Sequence, residues 1–190
     1  MTYINKQWLL DQRPKGMPGD ECWKLNEEEV RPLDKGEVLI KILYLSIDPY
    51  MRGRMSKAKS YAASLNEGDV IVGGAVGKVI SSHTPEYKEG DIVEGFTLGW
   101  QEYAIANPAS IRKINPDLAP IQTAVGVLGM PGMTAFFGLL HIGKPIPGDT
   151  VVVSAASGAV GQLVGQIAKI GGCHVVGIAG GKEKCDYLTN

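Results

Sequence analysis

The sequence predicts a β-rich domain followed by the opening of an α/β domain, so the fold class is α/β plus β. Before residue 120, short β-prone segments alternate with turns rich in Gly, Pro and charged residues, a pattern typical of antiparallel sheets. From Val151 to Ala179, an apolar strand, a small-residue turn, an amphipathic helix and a second strand follow one another. In that order a helix joins two parallel strands.

The early segments predict an antiparallel barrel or sandwich. Alternation from Glu37 to Asp48 places Val38, Ile40, Ile42 and Tyr44 on one face of a strand. Three further short strands are predicted at Val70–Ile80 (with a break at Gly73-Gly74), Asp91–Phe96 and Trp100–Ala106.

A proline-bounded stretch from Pro116 to Pro120 marks a change of pattern. We therefore expect two domains, residues 1–122 and 123–190. Three segments are predicted to follow the boundary, namely a helix, a break and a resumed helix: Gln122–Leu128, Met130-Pro131-Gly132 and Met133–Ile142.

The second domain opens on the most informative segment of the chain. Val151–Val153 has the β-branched composition of a fully buried strand. The residues after it recur at helical spacing (Val160, Leu163, Val164, Ile167 and Ala168). Gly171-Gly172 is expected to end this helix, and His174–Ala179 to form the next strand.

The turn between strand and helix reads Ala156-x-Gly158-x-x-Gly161. This is a G-x-G-x-x-G pattern with alanine in the first place. Gly158 would let backbone N–H groups approach a pyrophosphate, and Gly161 would let helix and strand pack closely. The pattern therefore predicts dinucleotide binding. The alternative is a small-residue turn at an ordinary parallel crossover.

Residues after the second strand favour NADP(H) over NAD. NAD sites place Asp or Glu about 20 residues past the glycines, where it accepts from the ribose 2′-hydroxyl. Here that position holds Gly180-Gly181, and Lys182 and Lys184 follow. Room, backbone N–H groups and positive charge suit a 2′-phosphate. A solvated basic turn is the alternative.

Composition excludes several classes of protein. A net charge of −1 over 190 residues, with scattered Lys and Arg, argues against a nucleic-acid or membrane surface. The polar start Met1–Gln7 predicts no secretion signal. Three cysteines without C-x-x-C spacing (Cys22, Cys173 and Cys185) suit a reducing, cytoplasmic location.

The chain resembles the zinc-free branch of the medium-chain dehydrogenase/reductases, and in particular the NADP-dependent alkenal, prostaglandin and curcumin double-bond reductases. Four segments carry the resemblance: Leu45–Met55, Gly126–Ala135, Ser157–Gln162 and Val175–Lys184. The resemblance implies a GroES-like β-barrel joined to a Rossmann domain, with the active site in the cleft between them. It also implies a homodimer that reduces a small-molecule enone or enal.

The same resemblance implies catalysis without zinc. Zinc enzymes of the superfamily carry Cys and His ligands in two segments that correspond to Leu45–Asp48 and Val72–Ala75. Neither segment contains Cys or His in this chain. Without a Lewis acid the oxidation of an alcohol is hard, whereas hydride delivery to an activated alkene remains possible.

Matching positions to the family implies a set of site residues. The pyrophosphate turn corresponds to Gly158, Ala159, Val160 and Gly161, the 2′-phosphate contact to Lys184, and a further cofactor contact to Thr134. Tyr50 and Tyr61 are expected to line the substrate cleft. Alternatively, Asp48-Pro49 only forms a turn, and Arg52 and Arg54 pair with carboxylates nearby, Arg52 in a mainly structural role.

A Rossmann domain needs about six strands, and two are recognisable here. We therefore expect the chain to be part of a longer reductase. Two other functions stay open, a quinone reductase of the same superfamily and a non-catalytic module for binding or assembly. The sequence does not choose among alkenal, prostaglandin-like and diarylheptanoid substrates.

Overall fold

A computed structural model describes residues 2–189 and divides the chain between Gln122 and Thr123 into two compact units. The first unit contains seven strands. They are β1 (Ile4–Leu10), β2 (Trp23–Glu29), β3 (Val38–Leu45), β4 (Ala75–Ser82), β5 (Ile92–Gly95), β6 (Tyr103–Ala106) and β7 (Ile111–Lys113). β1 and β2 form an antiparallel ribbon, and the other five form an antiparallel sheet in the order β6-β3-β4-β5-β7. The predicted antiparallel β domain is confirmed.

Two apolar clusters stabilise this unit. The larger lies on the five-stranded sheet and includes Val38, Ile40, Val79 and Val93, each fully buried. The smaller contains Leu10, Cys22, Met55, Leu65 and Ile71. Beside the smaller cluster, the rings of Trp23 and Trp100 stack with centroids 5.6 Å apart.

Strand β3 departs from simple alternation at its end. The pairing of β3 with β4 shifts between Ile42 and Tyr44, so Leu43 has no partner across the strand pair. Such a bulge reverses the faces that the following side chains occupy. As a result Tyr44 is 44% exposed and Leu45 packs on the core instead. The prediction that Tyr44 shares the buried face was wrong.

A network of side-chain amides ties the β1–β2 ribbon to the segment before β6. The Gln101 Oε1 atom accepts hydrogen bonds from Asn5 Nδ2 at 2.9 Å and from Gln7 Nε2 at 3.0 Å. Asn5 and Gln7 are both buried. Asn26 Nδ2 donates in turn to Gln7 Oε1 at 3.1 Å, and Gln101 Nε2 donates to the Leu98 carbonyl at 2.6 Å. These buried amides are therefore satisfied by one another.

The second unit contains two parallel strands and three α-helices. Its elements are α2 (Met130–Phe136), a π-helical segment (Phe137–Gly143), β8 (Thr150–Val153), α3 (Ala159–Ile170), β9 (His174–Gly177) and α4 (Lys182–Thr189). A five-residue helix in the first unit, Tyr50–Arg54, is α1. β8 pairs with β9 in parallel register, which confirms the predicted strand–helix–strand order. Helix α3 ends at Gly171, as predicted.

The predicted break at Met130-Pro131-Gly132 was wrong, because helix α2 begins there. Proline is tolerated in a first helical turn, where its missing N–H would have no partner in any case. Gly132 allows the helix start to lie against the preceding loop. A Cβ at this position would lie 1.7 Å from the Val127 carbonyl oxygen. The segment predicted as a helix before the break is a 3₁₀ turn, Ile121–Val125, followed by turns.

Strand β8 is less buried than its composition predicted. Val153 is buried, but Val152 is 62% exposed, and on β9 Val176 is 49% exposed. Parallel strands are normally covered on both faces. Between residues 123 and 189 the described sheet has two strands, so one face of β8 stays uncovered, and the expectation of full burial was wrong.

Candidate cofactor turn and tyrosine cluster

The predicted pyrophosphate turn forms the N-terminus of α3. Gly158 is the residue that caps the helix, and its carbonyl accepts the first helical bond, from the Gln162 N–H at 3.0 Å. The N–H groups of Ala159, Val160 and Gly161 therefore precede the helical ladder and have no acceptor within it. Ala155 enters the turn with φ +48°, the left-handed region that non-glycine residues rarely adopt. The turn thus presents free donors at the positive end of the helix dipole.

Gly161 is where the turn and helix come closest. A Cβ at this position would lie 2.3 Å from the Ala155 carbonyl oxygen and 2.9 Å from the Ala156 Cα. Gly158 is less tightly held, since a Cβ there would lie 3.2 Å from the same carbonyl oxygen. Glycine at 161 is thus required by close packing, while glycine at 158 leaves space in front of the free N–H groups.

Lys184 lies in the first turn of α4, close after Gly181, whose φ is +83°. Its neighbour Lys182 forms an ion pair with Asp186, with Nζ and Oδ2 2.5 Å apart. Lys184 has no ion-pair partner among residues 2–189. The helix dipole disfavours a lysine near a helix N-terminus. An anion bound there would pair with the Lys184 ammonium and would also offset its repulsion by the dipole.

Thr134 lies on α2 with an exposed side chain, and its Oγ1 donates to the Met130 carbonyl at 2.7 Å. Helix α2 packs against α3. Helix α4 is tied to α3 by a hydrogen bond from the Tyr187 hydroxyl to Gln162 Oε1 at 3.1 Å. Among the described residues, no hydrogen bond joins Thr134 or Lys184 to the glycine turn itself.

A cavity of about 800 Å³ opens between α3, β9 and α4. Of the predicted site residues, only Gly161 lines it. Gln162, Tyr187, Cys173 and Cys185 belong to its wall. Of the three residues with free N–H groups, Ala159 and Val160 do not line this cavity, and we assign it no ligand.

Tyr50 and Tyr61 both lie in the first unit. Tyr50 opens helix α1 and is half-buried, whereas Tyr61 is 88% exposed. Burial raises the pKa of the Tyr50 phenol above its ordinary value, and the Asp48 carboxylate raises it further. The Arg54 guanidinium opposes this rise in pKa, Tyr61 adds a smaller increase, and the Gly74 backbone lowers the pKa slightly. The Tyr50 phenol is therefore held neutral, as a hydrogen-bond donor must be.

Within residues 2–189 the two arginines of α1 form no ion pair with a carboxylate, so that part of the alternative was wrong, whereas Arg52 has the structural role that the alternative gave it. Arg52 Nε donates to the Gly16 carbonyl at 3.0 Å, and Arg52 Nη2 donates to the Gly16 and Pro14 carbonyls at 2.8 and 3.2 Å. Arg52 thereby fixes α1 to the loop after β1. Arg54 has no such bonds, and its Nε is buried without an acceptor within residues 2–189.

Two of the groups that affect the Tyr50 phenol, Gly74 and Arg54, were not expected from the sequence. Gly74 contributes through its backbone, which no side-chain pattern reveals. For Arg54 the sequence suggests only a pairing with carboxylates. The spacing of Tyr50 and Arg54, four residues apart within a helix, was the available signal.

Residues 2–189 contain no group of three or more His, Cys, Asp or Glu side chains placed to hold a metal ion. Their three cysteines are free thiols: Cys22 and Cys173 are buried, and Cys185 is exposed. Within the same residues, no helix has the length and apolar character needed to cross a membrane.

An antiparallel β domain followed by a strand–helix–strand unit with a glycine turn defines the class of two-part oxidoreductases. Residues 6–114 match the family described as the N-terminal domain of oxidoreductase, and the chain belongs to this family. The β domain is accordingly of the GroES-like type.

Named relatives span nearly the whole of this chain. It is 48% identical over 185 residues to the NADPH-dependent curcumin reductase of Escherichia coli, covering 97% of this chain and 53% of that enzyme. It is 47% identical to the NADP-dependent 2-alkenal reductase of Nicotiana tabacum, covering 98% and 55%. Among solved structures, it is similar to CurA from Vibrio vulnificus in complex with NADPH, with a TM-score of 0.91, 46% identity and coverage of 97% and 55%.

The chain spans about half the length of the curated relatives it matches. A more distant likeness, to a putative NADPH:quinone reductase from Bacillus thuringiensis, has a TM-score of 0.77 at 19% identity. It covers 98% of this chain and 56% of that one. At that identity the likeness shows a shared fold and nothing about the substrate.

Proposed function

We propose that this chain is part of an NADPH-dependent oxidoreductase that reduces the C=C bond of α,β-unsaturated ketones or aldehydes without zinc. The observation that carries the cofactor assignment is the close approach of Gly161 to the Ala155 carbonyl. That approach opens the N-terminus of α3 to a pyrophosphate. The reaction class follows from the relatives, which are named as curcumin and 2-alkenal reductases.

The residues present fit the dinucleotide. The N–H groups of Ala159, Val160 and Gly161 would hold the pyrophosphate, with Gly158 leaving the space it needs. Lys184 would hold the 2′-phosphate through a charge-assisted hydrogen bond, because its ammonium has no ion-pair partner among residues 2–189. Thr134 is the third proposed cofactor contact, through an exposed hydroxyl that can still accept a hydrogen bond.

The chemistry that NADPH supplies when bound is hydride for the β-carbon of the substrate. The residues of this chain would act on the substrate carbonyl. We assign the Tyr50 hydroxyl to donate to that oxygen, since its pKa is raised and the phenol stays protonated. Donation strengthens as negative charge collects on the oxygen, which lowers the barrier. Tyr61, whose side chain is exposed, would contact the substrate at the mouth of the site. A proton then reaches the α-carbon.

The remaining parts of the proposal concern the whole protein. The second unit would be the start of a Rossmann domain, since β8, α3 and β9 have the required order and parallel pairing. The protein would act as a homodimer on a small-molecule substrate. A cytoplasmic location is supported by the three free thiols, which are typical of reducing compartments.

An assay with matched substrates tests this function in the complete enzyme that carries the chain. NADPH oxidation is followed with trans-2-hexenal, with hexanal as the saturated control and with 1,4-benzoquinone as the competing acceptor. We expect hexenal to be converted to hexanal, no reaction of added hexanal, and full activity after exhaustive chelation. Preferential reduction of the quinone would favour the rival reductase. Failure to bind NADPH would instead indicate a non-catalytic module.

The Tyr50→Phe variant tests the role of the phenol. Loss of the hydroxyl removes a donor used mainly in the transition state, so kcat is expected to fall about 10²-fold. NADPH affinity is expected to stay unchanged. Tyr103→Phe is the control, since that ring packs on Tyr3 within the β domain. Wild-type kinetics for Tyr50→Phe would remove Tyr50 from the reaction.

A further inference from the structure

Helix α1 carries two arginines in different surroundings. Arg52 makes three hydrogen bonds to the Pro14 and Gly16 carbonyls. Arg54 makes none from its side chain to any of residues 2–189, and its Nε is buried. A partly buried cation without a counter-ion costs free energy. The two side chains therefore have different roles. Anchoring of the helix explains Arg52 but does not explain Arg54.

Arg54 is positioned to act on Tyr50. The two residues are four positions apart in α1, which places both on one face of the helix. The titratable groups that act on the Tyr50 phenol are Asp48, Arg54 and Tyr61, and of these only Arg54 is a cation. The Gly74 backbone also lowers the pKa of the phenol.

We propose that Arg54 is a positioning residue whose unpaired guanidinium stabilises negative charge on the Tyr50 oxygen while the phenol donates to the substrate carbonyl. The inference rests on the proposed reduction of an enone. As charge collects on the carbonyl oxygen, the O–H bond of Tyr50 lengthens and its oxygen becomes more negative. A nearby cation stabilises that state more than the resting neutral phenol. Asp48 acts in the opposite direction.

The effect of these charges on the pKa of Tyr50 can be measured without turnover. Tyr50 is titrated and followed through its ¹³Cζ resonance, which the Tyr50→Phe variant assigns. We expect Arg54→Met to raise the pKa of Tyr50, Arg54→Lys to return it toward the wild-type value, and Asp48→Asn to lower it. Lys57→Met is the control, because Lys57 is an exposed cation shortly after α1 and is not among the charges that act on the phenol. An unchanged titration in Arg54→Met would overturn the inference. Should Arg54→Met fail to fold, an unchanged titration in Arg54→Gln, which keeps a polar side chain but removes the positive charge, would overturn it.

Kinetics then separate positioning from direct binding. Arg54→Met is expected to lower kcat about tenfold, below the roughly 10²–10⁴-fold contribution of a general acid itself, with little change in KM. Arg54→Lys should recover most of kcat. A rise in KM restricted to enones that bear a carboxylate would overturn the inference in favour of direct substrate binding. A shifted titration in an enzyme that does not reduce enones would support the coupling of Arg54 to Tyr50 and overturn the proposed reaction instead.

Discussion

Gly161 lies against Ala155 so closely that a Cβ on Gly161 would be 2.3 Å from the Ala155 carbonyl oxygen. The contact belongs to the turn that opens α3, and Ala155 holds its own backbone at φ +48° there. A left-handed alanine stores strain, and the close contact leaves it no room to relax around a larger residue. The backbone conformation of Ala155 and its contact with Gly161 thus fix the geometry of the turn before any ligand binds.

Gly161→Ala is expected to destabilise the second unit by about 1–3 kcal/mol, because the added methyl group forces the turn and helix apart. NADPH affinity should fall as well, since the free N–H groups move with the turn. Gly165→Ala, one helical turn later, is the control. Its Cβ would meet only Val175 Cγ1 at an ordinary 3.6 Å, and alanine is favoured over glycine inside a helix by up to about 1 kcal/mol. Equal losses of thermal stability in both variants would show that packing at Gly161 is not special.

Lys184→Ala is expected to weaken NADPH binding and to leave NADH binding nearly unchanged. A charge-assisted phosphate contact contributes about 1.5–3 kcal/mol, equivalent to a roughly ten- to hundredfold change in Kd. Lys182→Ala is the matched control, because that lysine is already paired with Asp186. Calorimetric titration of both cofactors against both variants measures the difference. Equal losses for NADPH and NADH in Lys184→Ala would place the 2′-phosphate elsewhere.

Local patterns predicted some parts of the fold and not others, for physical reasons. The glycine turn and the end of α3 at Gly171 depend on neighbours in sequence, and the sequence indicated both. Tyr44 depends on a bulge, a property of how β3 meets β4. The start of α2 depends on Pro131 at the one place in a helix where proline fits.

The residues of the candidate site also divide into those that a local pattern predicts and those that depend on the folded structure. Gly158–Gly161 and Tyr50 carry recognisable motifs. The unpaired state of Arg54 is visible only after the helix has been placed beside its neighbours. The contact of Asn5 with Gln101 joins residues 96 positions apart, and amides at that separation give no periodic signal.

Gln101→Leu is expected to destabilise the first unit by about 2–6 kcal/mol. The substitution removes the acceptor of Asn5 Nδ2 and Gln7 Nε2, and each buried amide left unpaired costs about 1–3 kcal/mol. All three tryptophans lie in this unit, so fluorescence-detected denaturation reports on it directly. Gln12→Leu, at an exposed position of the same unit, should change stability by less than about 0.5 kcal/mol. A Gln101→Leu variant as stable as wild type would show that water replaces the lost acceptor.

Hydrogen exchange of the 190-residue polypeptide should distinguish the two units. The region from 36 to 106 supplies four of the five strands of the sheet, β3 to β6, which pack around fully buried residues, so its amides are expected to exchange slowly. Val152 on β8, Val176 on β9 and Ile178 just after β9 are 62%, 49% and 56% exposed. Parallel strands with an uncovered face have little buried apolar area to hold their hydrogen bonds closed.

We therefore expect fast exchange across Val151–Val153 and Val175–Ile178 in dilute solution, and slower exchange where a second copy covers the open strand edge. Measurements over a range of protein concentrations separate these two cases. Strong protection of both strands in a sample shown to be monomeric would contradict this expectation. It would mean that α3 and the adjoining helices stabilise the two-strand sheet without further cover.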